Sequence, residues 1–424
     1  MNEFGEHPAN EIRETKGASL RGKTICMCLT GSVAIVQASA IARDLIRFGA
    51  NVFVAMTKAA TELVHPYLME WATGNPVILE LTGKVEHIQM AGARLNTKGK
   101  ADLIVVCPAT ANTINKIAAG IDDNPVTTIV TTAFGSRTPI LIVPAMHESM
   151  YRHPILMENI QKLKKYGVEF IDPRLTESKA KIAEPQEIVS RIKEILSDNK
   201  DLVGLNFIVT AGSAREYIDQ IRFIGNPATG KMGIAIAEEV ISRGGKCTLV
   251  LGPTSIPAPF AANTIHVETA EEYLNAIKNE LSKNRVDVLI SAAAISDFTP
   301  EKLSEHKISS DTPELTIKLV PTPKIIDEIR KINKEIFITA FKAETAYQGE
   351  ALIEKAKKRL KKGGINLIVA NNVSKENKNA GFASDTNDVY IIDEHGEVKH
   401  IEFKEKRQIA AELIDIIIQK IKKN

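Results

Sequence analysis

Residues 25–34 read ICMCLTGSVA, and residues 207–215 read FIVTAGSAR. Each stretch begins as an apolar strand, runs into threonine, glycine and serine, and gives way to a helical pattern. A doubly wound nucleotide-binding unit opens in this way. Backbone N–H groups at the turn after the first strand meet a phosphate at the start of the next helix. Two openings in one chain predict two such units and two reactions. Neither opening matches the dinucleotide fingerprint G-x-G-x-x-G, which counts against an NAD(P)-dependent oxidoreductase.

Outward from the first opening, strand-like runs recur at Thr24–Leu29, Asn51–Met56, Asp102–Cys107, Ile140–Val143 and Val168–Ile171. Helical patterns such as Val36–Phe48 and Gln186–Ser197 alternate with them. The polar run Asp198-Asn199-Lys200-Asp201 then breaks the apolar pattern. From the second opening the alternation restarts, with strand-like runs at Asn206–Val209, Lys246–Leu251, Val286–Ile290, Ile336–Phe341 and Ile365–Val369. Buried strands alternating with amphipathic helices predict an α/β fold of two doubly wound, Rossmann-like domains. A β-hairpin is expected over Val389–Ile392 and Val398–Phe403, before a final helix. The expected division is a flexible arm over 1–22, a first domain over 23–198 and a second over 199–424.

The chain has 424 residues, a formal net charge of +2 and 25% charged residues. That balance gives no footprint for nucleic acid, and no apolar run reaches membrane-spanning length. The expected location is the cytoplasm. The four cysteines, Cys26, Cys28, Cys107 and Cys247, lie in apolar runs and form no C-x-x-C pair. Buried free thiols are expected, with neither a zinc site nor a disulfide framework.

Ligands of doubly wound sheets bind beyond the carboxyl ends of the strands, and the polar clusters of this chain follow strand ends. In the first half these are Gly31-Ser32-Val33, Cys107-Pro108-Ala109-Thr110-Ala111-Asn112, and Ala145-Met146-His147. They suit a small phosphorylated planar ligand better than a dinucleotide. His87 opens a short apolar helical stretch. His147 and His153 have the wrong spacing for one metal-binding helix face.

In the second half Gly225–Met232 nearly spells a Walker A loop. Met232 replaces the hydroxyl that would hold magnesium, and a long polar loop separates the segment from its strand, so a P-loop ATPase is rejected. Ser291–Phe298 follows another strand. Its small residues, Ala293 among them, let a ligand lie against backbone, and Asp297 can bind a nucleotide amino group or its metal.

The segments GSVA, VCPATANTINKIAAGIDDN and IVPAMHESMY, with His87-Ile88, resemble the FMN-dependent cysteine decarboxylase family. The second half resembles the phosphopantothenate–cysteine ligases, so the whole chain after its first residues is similar to the bifunctional coenzyme A biosynthesis family. The PAMH segment resembles archaeal members. For the first half, the resemblance implies a flavodoxin-like domain that binds FMN through Gly31, Ser32, Val33, Thr57, Pro108, Ala109, Thr110, Asn112, Ala145 and Met146. His87 maps to the catalytic histidine. His147 maps to the position that binds the substrate carboxylate.

For the second half, the resemblance implies ligation of 4'-phosphopantothenate to cysteine through an acyl-nucleotide, with CTP and Mg2+. Asn226 would hold the intermediate and Lys307 would steady the charge. Gly212, Ala293, Asp297, Pro323, Lys324, Ile325, Ile326, Phe341, Arg359 and Lys362 would line the nucleotide pocket. The implied assembly is a homo-oligomer of trimeric decarboxylase and dimeric ligase units. One departure stands out. Bacterial members carry a cysteine in a flap over the substrate, and here that stretch is Thr176–Ile182, with no cysteine. Lys179, Lys181, Glu177 or His147 are candidates to replace it. The alternative is an active ligase fused to a flavin module that does no chemistry.

Overall fold

The structure is a computed structural model, and it describes residues 7–93, 101–176, 179–197, 199–309, 314–345, 347–373 and 384–423. The strands Leu103–Ala109 and Ile140–Pro144 are buried throughout, and Thr24–Leu29 is buried after its first residue. Strands apolar on both faces need cover on both faces, which crossover helices give to a parallel sheet. The chain folds into two compact units, Met1–Ser197 and Asp198–Asn424.

The sheet of the first unit runs in the order Val77–Ile78, Asn51–Met56, Thr24–Leu29, Leu103–Ala109, Ile140–Pro144, Glu169–Phe170. Every neighbouring pair is parallel. Without the two-residue edge strand Val77–Ile78, the order is second, first, third, fourth, fifth, which is the flavodoxin-like arrangement. Side chains alternate across the sheet. Ile25, Met27 and Leu29 pack with Ile41 and Leu45 of the Ala38–Arg47 helix and with Ile188 and Ile192 of the Pro185–Leu196 helix. Cys26 and Cys28 face the other way, into a core with Ile114, Ile129 and Ile160.

Residues 7–22 correct the expected flexible arm. The segment is polar because only Ala9 and Leu20 are buried in it, and Leu20 belongs to the first core. The Arg13 guanidinium donates to the carbonyls of Gly49 (3.2 Å) and Ala50 (2.9 Å). The leucine and the arginine dock the segment on the unit.

The second unit has an eight-stranded sheet. Six parallel strands run Asn263–His266, Lys246–Leu251, Asn206–Ala211, Val288–Ser291, Phe337–Glu344, Leu367–Asn372. This is the doubly wound order of two mononucleotide halves. The antiparallel hairpin Thr386–Asp393 and Val398–Glu405 extends it, and the helix Lys406–Lys423 closes the chain. That helix places Leu413 and Ile417 over Phe207 and Val209, beside Ile236 of the Lys231–Ser242 helix. The opposite face is covered by Tyr273, Ile277 and Ile329. No helix among the described residues is long and apolar enough to cross a membrane.

Two candidate active sites at the strand ends

In each unit the strand order reverses beside the first strand, and the crevice at that switch point is where such sheets bind ligands. In the first unit the reversal lies between Thr24–Leu29 and Leu103–Ala109. Thr30, 1% exposed, donates its hydroxyl to the Pro108 carbonyl (2.7 Å) and accepts the Thr110 N–H (3.0 Å). The buried hydroxyl thus joins the two strand ends that flank the crevice.

Other loops reach the same edge. The Thr57 N–H donates to the Leu29 carbonyl (3.1 Å), and the Thr57 hydroxyl caps the short helix Lys58–Thr61. Gly31 lies so close to that helix that a Cβ would stand 2.6 Å from the Ala59 Cβ. The Ala145 N–H donates to the Ala109 carbonyl (3.0 Å). The sheet order and these contacts bring Gly31, Ser32, Thr57, Pro108, Ala109, Thr110, Ala145 and Met146 to one edge. Pro108 does not end its strand as a proline suggests. The strand continues to Ala109, with a shift of register between Val106 and Ala109. Thr110 caps the Ala111–Ala119 helix, and Asn112 is exposed on its first turn. Val33, 79% exposed, begins the turn after Ser32 and leaves an apolar side chain open at the crevice.

His87 lies on the helix Glu86–Ala91, directly after Val85, whose φ of 51° is a strained value for a β-branched residue. The His87 Nδ1 is buried without a partner, and so is the Oε1 of Gln37. Buried polar atoms are nearly always satisfied, so these two fit a unit completed by a ligand. The His147 Nδ1 lies 2.8 Å from the Ser149 hydroxyl and 3.3 Å from the Ser149 N–H, so Ser149 fixes the ring and leaves Nε2 as its outer nitrogen. Met146–His147 pairs with Lys179–Lys181, and that strand pairs with Arg174–Thr176. The stretch expected as the flap therefore borders His147 directly. Glu177 and Ser178 lie outside the described residues, as does the side chain of Lys179. All four cysteines are buried, and burial pushes the thiols of Cys107 and Cys247 up to about 12.

The second unit repeats the device. Thr210, 0% exposed, accepts the N–H groups of Ala292 (3.1 Å) and Ala293 (3.0 Å) across its switch point. The Ala294 N–H donates to the Gly212 carbonyl (2.9 Å). Gly212 has φ +85°, and a Cβ there would meet the Gly252 carbonyl oxygen at 2.7 Å. Only glycine fits that turn. The Tyr273 hydroxyl donates to the Ala211 carbonyl (2.7 Å) from below. Asn226 reaches the Ile295 carbonyl at 3.5 Å.

Asp297 forms an ion pair with Lys324, and its carbonyl accepts the Thr322 N–H (3.0 Å). This brings Pro323, Lys324 and the helix start at Ile325-Ile326 to the Ala293–Asp297 loop. Ile325 itself is a core residue. Phe341 is half-buried beside the core, on the strand Phe337–Glu344. Lys307 is exposed, next to Ile308, whose N–H is bound by Asp219.

Lys362 is not brought to this edge, and Arg359 reaches only the first turn of the Ile325–Ile332 helix. Both lie at the closing end of the Gly349–Lys361 helix, and a crossover helix between parallel strands runs back toward their amino ends. Arg359 is bound to Asp327 (2.8 Å) and the Gly363 carbonyl (3.2 Å). Lys342, near the carboxyl end of the Phe337–Glu344 strand, and Lys355, on the Gly349–Lys361 helix, are both paired with Glu344. Sequence reasoning gave Thr30 and Thr210 no separate role within their turns, and it missed Asp219 and Tyr273. The signal for the two threonines was present, since each opening places one just ahead of its glycine.

The Flavoprotein family model matches residues 13–197. The model described as the DNA/pantothenate metabolism flavoprotein C-terminal domain matches residues 202–421. The coenzyme A biosynthesis bifunctional protein CoaBC of Thermococcus kodakarensis is 49% identical over 411 residues, covering 97% of this chain and 98% of the relative. The chain belongs to the CoaBC family. The CoaBC protein of Methanocaldococcus jannaschii is 37% identical over 418 residues and covers 98% of each chain. Both relatives agree with the archaeal resemblance of the PAMH segment. The solved C-terminal domain of a CoaBC protein is 31% identical, covering 53% of this chain and 100% of its own, with a TM-score of 0.44. Membership of the CoaBC family makes this chain a bifunctional enzyme of coenzyme A biosynthesis, a decarboxylase and a ligase, with a flavoprotein domain as its first half. The two alternatives, a flavin module without chemistry and an NAD(P)-dependent oxidoreductase, find no support among these relatives.

Proposed function

We propose that the second unit joins 4'-phosphopantothenate to cysteine with CTP and Mg2+, and that the first unit decarboxylates the product with FMN. The observation that carries this reading is the pair of switch-point crevices, one in each unit, each tied by a buried threonine hydroxyl. Two crevices of one design on two different loop sets suit two reactions on related phosphorylated substrates.

In the ligase unit the Thr210–Ser213 turn would offer backbone N–H groups to the triphosphate, and Mg2+, when bound, would offset the phosphate charge. The substrate carboxylate attacks the α-phosphorus, and pyrophosphate leaves. The product is an acyl-nucleotide with a good leaving group. Lys307 balances the charge that develops, and the Asn226 amide holds the acyl-nucleotide in place. The cysteine amine then attacks the acyl carbon, and the nucleotide monophosphate departs. Asp297 and Lys324 form the polar wall of the base pocket. Nearby, Ala293 is small enough to let a ligand lie against backbone, and Gly212 shapes the turn beside it.

In the decarboxylase unit the residues of the Gly31, Thr57, Thr110 and Ala145 loops would hold FMN. The orphaned atoms of Gln37 and His87 fit that assignment. Flavin, when bound, supplies the electron sink that a cysteinyl carboxylate lacks. His87 exchanges the proton at the thiol side. His147 donates its Nε2–H to the departing carboxylate and holds it over the crevice. The proton that replaces CO₂ comes from the flap stretch or from His147, the candidates being Lys179, Lys181 and Glu177. Trimeric decarboxylase units and dimeric ligase units, in the cytoplasm, complete the proposal.

The test is the visible spectrum of the purified protein, joined to product analysis with CTP or ATP. We expect a flavin spectrum, release of FMN on denaturation, and faster ligation with CTP. A colourless protein that takes up no FMN would remove the decarboxylase half of the reading. Ligation that runs on ATP alone would remove CTP.

A further inference from the structure

One buried carboxylate ties together the two loops of the ligase unit that carry Lys307 and Asn226. Asp219 lies in the turn between the paired strands Arg215–Tyr217 and Phe223–Gly225, and none of its surface is exposed. Its Oδ1 accepts the N–H groups of Ile221 (2.8 Å) and Arg222 (2.7 Å). Its Oδ2 accepts the Ile308 N–H (3.1 Å) and the Arg222 guanidinium (2.9 Å). The same guanidinium nitrogen donates to the Ile308 carbonyl (3.0 Å). Both backbone polar groups of the residue after Lys307 are therefore held. The Ser304 N–H adds a further tie, to the Ile218 carbonyl (3.0 Å). Arg222 leads straight into the strand Phe223–Gly225, and Asn226 follows that strand.

We propose that Asp219 is a positioning residue of the ligase reaction, fixing the base of Lys307 relative to Asn226. A lysine side chain is a flexible stem, so the protein can preorganise it only through the backbone that bears it. A turn that served the hairpin alone would need only the local bonds to Ile221 and Arg222. The bond to Ile308 spans 89 residues of sequence and serves the lysine segment instead. The Arg222 backbone N–H is the largest of several donors that hold the Asp219 carboxyl down at about 2, so the clasp stays ionised at any working pH.

This inference rests on the reading of Lys307 and Asn226 given above. The test compares Lys307→Ala, Asp219→Asn and the double variant in the full chain. Ligation is timed, and decarboxylation of supplied phosphopantothenoylcysteine serves as the control for the other unit. We expect Asp219→Asn to lower the ligation kcat at least about tenfold, in line with the cost of small misplacements. Decarboxylation stays within about twofold of wild type. The double variant should be no slower than Lys307→Ala, because a positioning residue loses its effect once the positioned group is gone. Losses that multiply in the double variant would overturn the inference, and so would unchanged ligation in Asp219→Asn. Both results leave the role of Lys307 standing. Unchanged ligation in Lys307→Ala would overturn that role and the inference with it. If Asp219→Asn unfolds the ligase unit, Arg222→Lys replaces it in the cycle. That variant keeps the charge beside Asp219, but its shorter side chain draws the donor nitrogen back from the carboxylate and the Ile308 carbonyl, and the same two outcomes decide.

Discussion

Thr30 and Thr210 do the same work in two unrelated loops. Each hydroxyl is buried and each satisfies backbone groups across a switch point, so replacing it by valine keeps the shape and strands those groups. A buried unsatisfied donor costs about 1–3 kcal/mol. Thr210→Val, which orphans the N–H groups of Ala292 and Ala293, should lower ligation and leave decarboxylation intact. Thr30→Val, which orphans the Thr110 N–H and the Pro108 carbonyl, should do the reverse. Paired rate measurements on both variants check this, and a loss of both activities in either one would count against it. Asp219 gives a pH test at the same scale. Its carboxyl titrates at about 2 when folded, and an ordinary aspartate titrates near 4 when unfolded. A depressed folded value means the stabilisation is fully present above about pH 4 and is lost as pH falls toward 2. The stability difference between wild type and Asp219→Asn, from urea unfolding, should be flat above about pH 5 and should shrink below about pH 4.

Among the elements, the segment 7–22 changes most between sequence and structure. Its polar composition reads as an arm, yet Leu20 is fully buried in the first core. Leu20→Ala should cost about 2–5 kcal/mol, the range for a buried leucine. Thermal unfolding followed by the release of flavin would show it. A melting point equal to wild type would mean that the segment is free after all. The central strands were legible because both faces are apolar, and a run of that kind needs no partner to be recognised. The strands Val77–Ile78 and Asn263–His266 were not legible, since both are short edge strands with half-exposed side chains. Candidate residues on strand ends were found because threonine, glycine and asparagine interrupt apolar runs there. Arg359 and Lys362 were hard to place because a basic helix shows its charges in sequence but not which end faces the site. Asp219 was invisible, since its partner Ile308 is remote in sequence.

For the whole molecule, the cores are separate. One pair of clusters serves the first unit and another set, around Phe207, Ile208 and Ala340, serves the second. A unit with its own core can in principle fold alone. The order of the units in the chain is then the reverse of the order of the reactions, since the second unit makes what the first consumes. A block in the first unit should leave the second running and its product accumulating. The most direct measurement is mass spectrometry of the products formed from 4'-phosphopantothenate, cysteine, CTP and Mg2+ by wild type and by His87→Ala. Loss of a general acid or base lowers a rate by roughly 10²–10⁴. The account predicts 4'-phosphopantetheine from wild type, and phosphopantothenoylcysteine as the accumulating product of His87→Ala. Undiminished 4'-phosphopantetheine from His87→Ala, or no ligated product from wild type, would contradict it.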